Sequence, residues 1–115
     1  MWYYHIVEFI ESRRFTRRLH ELAGDAADEL LRAIESDLEQ NPDRGALVPG
    51  LAGIRKARVG NPGRGKGKRG GFRYLYVYFR GDEQIGLLYL FDKDEQGDLT
   101  AAERKLLRDL ATQGQ

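Results

Sequence analysis

Phe72-Arg-Tyr-Leu-Tyr-Val-Tyr-Phe79, Arg80-Gly-Asp-Glu83 and Gln84-Ile-Gly-Leu-Leu-Tyr-Leu-Phe91 follow one another without a break. Two runs rich in aromatic and branched apolar residues, separated by a short polar segment with a glycine, predict a β-hairpin turning at residues 80–83. Alternation away from that turn puts Leu75, Val77 and Phe79 on one face with Leu88 and Leu90, and Tyr74, Tyr76 and Tyr78 on the other with Tyr89. One face then serves a core and the other a partner.

Working outward, Ile54–Val59 reads as a further strand, and residues 43–53, punctuated by Gly and Pro, as loop or a short edge strand. Trp2–Phe9, aromatic and β-branched, reads as the first strand. Phe15, Leu19 and Leu22 place one apolar stripe on a helix ending near Gly24. Asp25 is a candidate N-cap for a second helix, with Ala27, Leu31, Ile34 and Leu38 as its buried face and Asn41-Pro42 as its stop. Thr100-Ala-Ala-Glu103 has the form of a capping box opening a last helix, with Ala102, Leu106 and Leu110 inward. The order is β-α-α-β-β-β-α without internal repeat. It predicts an α+β fold: a small antiparallel or mixed sheet with an N-terminal helical hairpin and a C-terminal helix, the helices on one side. At 115 residues the chain suits one domain, residues 1–115, with a single core.

Charge divides the chain more sharply than hydropathy does. Between Arg44 and Gly81 lie ten basic residues and no acid, while the segments on either side are net acidic, so a net charge of +1 conceals a strongly basic centre. The tract Gly60-Asn-Pro-Gly-Arg-Gly-Lys-Gly-Lys-Arg-Gly-Gly71 lies in the middle of it. Such a distribution points to a polyanion, and glycine lets a basic backbone approach phosphates closely. No cysteine is present, so disulfide and thiolate chemistry are excluded and a reducing cytoplasm is the expected setting. Apolar runs such as Leu87–Phe91 are far short of the roughly 18 residues of a membrane span. Glu8 and Glu11 interrupt the stretch a signal peptide would need.

Three motifs imitate known sites. Gly60-Asn-Pro-Gly-Arg-Gly65-Lys66-Gly67 falls one residue short of a phosphate-binding Gly-x-x-x-x-Gly-Lys-Ser/Thr loop, and Gly65-x-Gly67-x-x-Gly70 imitates a dinucleotide fingerprint. Both precede a strand where a helix N-terminus is required. Asp92 to Glu103 has calcium-loop spacing, but Gln96 stands at the fifth position, Lys93 adds a cation, and a strand precedes the loop where a helix is needed. His5 and His20 lack neighbouring ligand or nucleophile patterns. No metal and no cofactor is expected.

The better candidates are on strands. Arg55, Lys56 and Arg58 share one strand, Arg73 opens the next, and the basic loop carrying Arg64, Lys66, Lys68 and Arg69 joins them. Tyr74, with Tyr76 and Tyr78, could stack on bases or form a half-buried sheet face. A patch that binds without chemistry is the plainer reading.

Gly50-Leu-Ala-Gly-Ile-Arg-Lys-Ala-Arg58, Gly65-Lys-Gly-Lys-Arg-Gly-Gly-Phe-Arg73-Tyr-Leu-Tyr and Phe91-Asp-Lys93-Asp-Glu95-Gln-Gly-Asp98-Leu-Thr-Ala-Ala-Glu103, with Asn41-Pro42-x-x-Gly45 upstream, resemble the RelE/HigB-like toxins of bacterial type II toxin-antitoxin modules. The resemblance covers nearly the whole chain. It implies a cytoplasmic bacterial toxin that blocks translation by cleaving mRNA on the ribosome and is neutralised by a small antitoxin with a helix-turn-helix domain. It also implies catalytic positions at Lys56, Arg58, Arg73 and Lys93, beside which the basic tract and the tyrosine run make Arg55, Arg64, Lys66, Lys68, Arg69 and Tyr74 the expected RNA contacts. The family's aromatic before the late lysine is Phe91 here, and no tyrosine follows Lys93.

RNA carries its own nucleophile, the 2′-hydroxyl, so cleavage needs alignment, proton transfer and stabilisation of charge on phosphorus. Arginine does not readily lose a proton, which suits Arg58 and Arg73 to holding the phosphate. A lysine among other cations has its charged form disfavoured, which suits Lys93 and Lys56 to proton exchange. A gyrase-inhibiting toxin like the ParE branch and a non-catalytic RNA- or ribosome-binding module are the competing readings.

Overall fold

The computed structural model describes residues 7–60, 71–93, 95 and 99–113. In chain order they form β1 (Glu8–Glu11), α1 (Arg13–Ala23), α2 (Ala27–Gln40), β2 (Ala46–Leu47), β3 (Ile54–Val59), β4 (Phe72–Phe79), β5 (Gln84–Asp92) and α3 (Ala101–Gln113). The strands make one sheet in the order β1-β5-β4-β3-β2. The β1–β5 pair is parallel and every other pair antiparallel. The α+β architecture and the central hairpin are as expected, and β2 is the short edge strand within 43–53. The first strand sits later than expected, at Glu8–Glu11; residues 1–6 of the Trp2–Phe9 reading lie outside the described residues.

Helices cover both faces of the sheet, not one. Against α1 and α2 pack Tyr74 and Tyr76 of β4 and Ile85, Leu87 and Leu90 of β5. Against α3 pack Leu75, Val77 and Phe79 of β4 with Leu88 and Phe91 of β5. Alternation assigned β4 and Leu88 correctly and failed for Tyr89 and Leu90 of β5. The register steps from Leu75↔Tyr89 to Tyr76↔Leu87, leaving Leu88 as an extra residue in a bulge. Past it every side chain changes face, so Leu90 joins the tyrosines and Tyr89 joins Leu75.

Ser12 explains how α1 is held on the sheet. Its hydroxyl accepts from the Phe15 N–H at 3.0 Å as the helix N-cap, and donates to the Leu88 carbonyl at 2.7 Å. β1 pairs β5 only as far as Leu87, and the Arg18 Nε donates to the Leu90 carbonyl at 3.1 Å, so α1 takes over the β5 edge where β1 stops.

Two helices are rotated from expectation. The N-cap of α2 is Ala26, with Asp25 in a preceding 3-10 turn, and the stripe is Ala27, Leu30, Ile34 and Leu38, with Leu31 only half-buried. The capping box of α3 forms: Thr100 N–H donates to Glu103 Oε1 at 2.9 Å, and Glu103 N–H to Thr100 Oγ1 at 3.1 Å. Its buried residues are Leu107 and Ala111 with Leu110 alongside, whereas Ala102 is exposed and Leu106 half-buried.

Candidate nucleic-acid interface

The end of β3, the start of β4 and the end of β5 meet at one end of the sheet. Val59 lies opposite Phe72, Arg58 opposite Arg73, and Phe72 opposite Asp92. Gly71 makes the junction possible, since a Cβ there would stand 2.4 Å from the Val59 carbonyl oxygen. Its own carbonyl accepts from the Lys93 N–H at 3.4 Å, tying the residue after β5 to the residue before β4.

A cavity of about 420 Å³ opens at this junction, with Arg44, Arg58, Arg73 and Lys93 among its walls and Asp37 reaching in from α2. Arg58 and Arg73 occupy directly opposed positions on adjacent strands. Like charges so placed repel. Among the described residues no carboxylate pairs with either of them or with Lys93. The Arg73 Nε is moreover buried without a hydrogen-bond partner. Buried donors are nearly always satisfied, which makes Arg73 a candidate to receive an anion.

Arg44, which sequence reasoning did not single out, is the fourth cation of the cavity. Its Nη1 donates to the Arg58 carbonyl at 2.9 Å, to Asp37 Oδ2 at 3.2 Å and to the Tyr74 hydroxyl at 3.3 Å. The loop that carries it is pinned by Tyr76, whose hydroxyl accepts from the Gly45 N–H at 3.0 Å and donates to the Pro42 carbonyl at 2.7 Å. Gly45 has to be glycine for this approach: a Cβ would lie 2.9 Å from both the Lys56 carbonyl oxygen and Tyr76 Cε1. A cation followed by glycine after a helix-stopping Asn-Pro was the available signal.

Several expected residues do other work. Tyr74 is fully buried, so no base stacks on its ring. Burial pushes its hydroxyl up to about 12, despite the opposing bond from Arg44. Arg55 turns to the 43–45 loop, donating to the carbonyls of Asp43 at 3.2 Å and Gly45 at 2.6 Å. Arg80 and Arg55 both pair with Asp43, and the bond from Arg80 holds that carboxyl below its ordinary range. Lys56 lies on β3 opposite Leu75, two residues before Arg58 and outside the cavity walls. Arg64, Lys66, Lys68 and Arg69 lie outside the described residues, as do both Gly-Lys loop readings. Glu103, the twelfth position of the calcium-like spacing, is spent on the helix cap, and no group of three or more potential metal ligands occurs among the described residues.

The model of the RelE toxin of the RelE/RelB toxin-antitoxin system matches residues 11–115. Among solved structures, the RelBE2 toxin-antitoxin complex from Mycobacterium tuberculosis has a chain 22% identical with TM-score 0.58, covering 76% of this chain and 98% of that one. The isolated RelE toxin from E. coli aligns at 10% identity and TM-score 0.55 over 91% of this chain and 99% of its own. The archaeal RelE-RelB complex from Pyrococcus horikoshii OT3 aligns at 16% and 0.51 over 78% and 98%.

Proposed function

The chain belongs to the RelE toxin family, and from that premise and the charged cavity we propose that it arrests translation by cutting mRNA on the ribosome without a metal. One observation carries the reading: two arginines directly opposed on adjacent strands, without a carboxylate partner among the described residues, with Lys93 in the same cavity. Arg58 and Arg73 hold the scissile phosphate and take up the charge that grows on it. The 2′-hydroxyl attacks that phosphorus, the bond to the 5′-oxygen breaks, and the products are a 2′,3′-cyclic phosphate and a free 5′-hydroxyl. One proton leaves the nucleophile and one reaches the departing oxygen. Lys93, with three donors on its stem, serves the leaving oxygen, and Lys56, two residues from Arg58 along β3, adds charge beside the strand it holds. Arg64, Lys66, Lys68 and Arg69 hold the strand by charge.

The solved complexes pair RelE with RelB, and we assign this chain a cognate antitoxin that keeps it silent in its host, a bacterial cytoplasm. Induced expression followed by mapping of mRNA 5′ ends tests the activity. New ends inside translated reading frames, lost in Arg73→Ala, are expected. Growth arrest with intact messages and altered DNA supercoiling would overturn it in favour of a gyrase inhibitor. Co-expression of the neighbouring small reading frame should restore growth and yield a co-purifying complex.

A further inference from the structure

We infer that Arg44 is a further nucleic-acid-binding residue, receiving on its free guanidinium edge a phosphate next to the one held by Arg58 and Arg73. The inference rests on the nuclease reading above and adds a second phosphate to it. A guanidinium carries five N–H donors on three nitrogens. In Arg44 one nitrogen, Nη1, makes all of the side chain's hydrogen bonds among the described residues: to the Asp37 carboxylate, the Arg58 carbonyl and the Tyr74 hydroxyl. Nη2 and Nε have no partner among the described residues. Three acceptors from three elements thus fix one corner of the fork and leave the opposite edge, the pair of N–H groups that matches a phosphate bidentately, without a partner in a side chain that lines the cavity.

Two further features belong to the same device. Tyr76 and Gly45 clamp the loop carrying Arg44 against β3 and β4, so the guanidinium is placed by packed backbone and not by a free tether. Arg44 also bonds the carbonyl of Arg58 itself, so its position is locked to that of the scissile-phosphate arginine. The cavity of about 420 Å³ exceeds what one phosphate fills, and pockets of at least about 300 Å³ take whole small ligands. Asp37 is a positioning residue here: its carboxylate orients Nη1 and touches no substrate.

The variant Arg44→Lys separates a binding role from a merely structural one. An ammonium offers three donors from one nitrogen, enough for the three acceptors of Nη1, and keeps the charge, but it presents no second edge. The assay is binding to ribosomes programmed with a message 2′-O-methylated at the mapped cleavage position. Arg44→Lys should unfold at the wild-type urea concentration yet bind about tenfold or more weakly, the loss of one charge-assisted contact. Arg44→Gln, the control should lysine disturb the fold, should lower the log–log salt slope of binding by about 0.7 while the cut phosphate stays the same. Wild-type affinity for Arg44→Lys, or an unchanged salt slope for Arg44→Gln, overturns the inference and leaves the nuclease reading standing. Wild-type protein that does not bind programmed ribosomes overturns both.

Discussion

Replacing Arg73 by Met is expected to make the protein more stable and inactive at once. Arg73 lies directly across from Arg58 on the neighbouring strand, has no carboxylate partner among the described residues, and buries its Nε without an acceptor. An unsatisfied buried donor costs about 1–3 kcal/mol, and a like-charge cross-strand pair up to about 1 kcal/mol. Methionine retains most of the aliphatic stem and removes both costs, so after some loss of packing a gain of about 1.5 kcal/mol is expected. For 115 residues, at about 2.1 cal/mol/K of unfolding entropy per residue, that is a rise in Tm of roughly 6 °C. Cleavage should fall by about 10²–10³-fold, the usual cost of one donor to a developing oxyanion. Calorimetry and urea titration read the first effect, and single-turnover cleavage of programmed ribosomes the second. The repulsion belongs to the pair, so Arg58→Met with Arg73→Met should gain less than the sum of the single variants. An Arg73→Met protein that melts below wild type, or that keeps more than about a tenth of its rate, refutes the reasoning.

Lys93→Ala should slow cleavage as much as Arg73→Met, and Lys93→Arg should restore most of the rate if the ammonium acts by charge alone but none if it gives up a proton; single-turnover rates of the two variants decide. Tyr76→Phe should cost about 2 kcal/mol, because it strands the buried Gly45 N–H and the Pro42 carbonyl, whereas Tyr74→Phe loses only a 3.3 Å bond to an arginine nitrogen that keeps two other acceptors; equal urea midpoints for the two variants would refute this. Burial raises the Tyr74 hydroxyl to about 12 from an ordinary value of 10.0, so its contribution to stability is complete below pH 10 and is lost as the pH rises toward 12; Tyr74→Phe should flatten the alkaline fall in urea stability across that window. Replacing Lys66, Lys68 and Arg69 together by Ala should lower the salt slope of RNA binding by roughly 2 without moving the cut.

The hairpin was legible because two strands of eight and nine residues bury both faces, and aromatic and β-branched runs of that length have few other uses. Strand Ile54–Val59 and the capping box at Thr100 were legible for similarly local reasons. What escaped was set by neighbours distant in sequence. The bulge at Leu88 answers to Ser12 and Arg18, whose side chains take the Leu88 and Leu90 carbonyls more than 70 residues away in the chain. The adjacent leucines 87 and 88 break the alternation and were its one local trace. The rotations of α2 and α3 have the same origin, since periodicity shows that a stripe exists while the sheet beneath decides which residue centres it.

The basic centre divides along the same line. Its excess of charge is a property of composition, but which cations stay free depends on where the acids lie. Asp43 takes Arg55 and Arg80 and Asp37 takes one corner of Arg44, so among the described residues the cations between 44 and 81 left without a carboxylate are Lys56, Arg58 and Arg73. Neutralising the outer arginines keeps the loop folded against β3, and withholding acids from the opposed pair keeps the cavity cationic. Adding an acid within reach of Arg58 and Arg73 would relieve their repulsion and fill the place proposed for the phosphate. On the proposed reading the arrangement gives up some stability in favour of binding an anion, and the two strands that repel each other would gain a shared counter-charge from RNA.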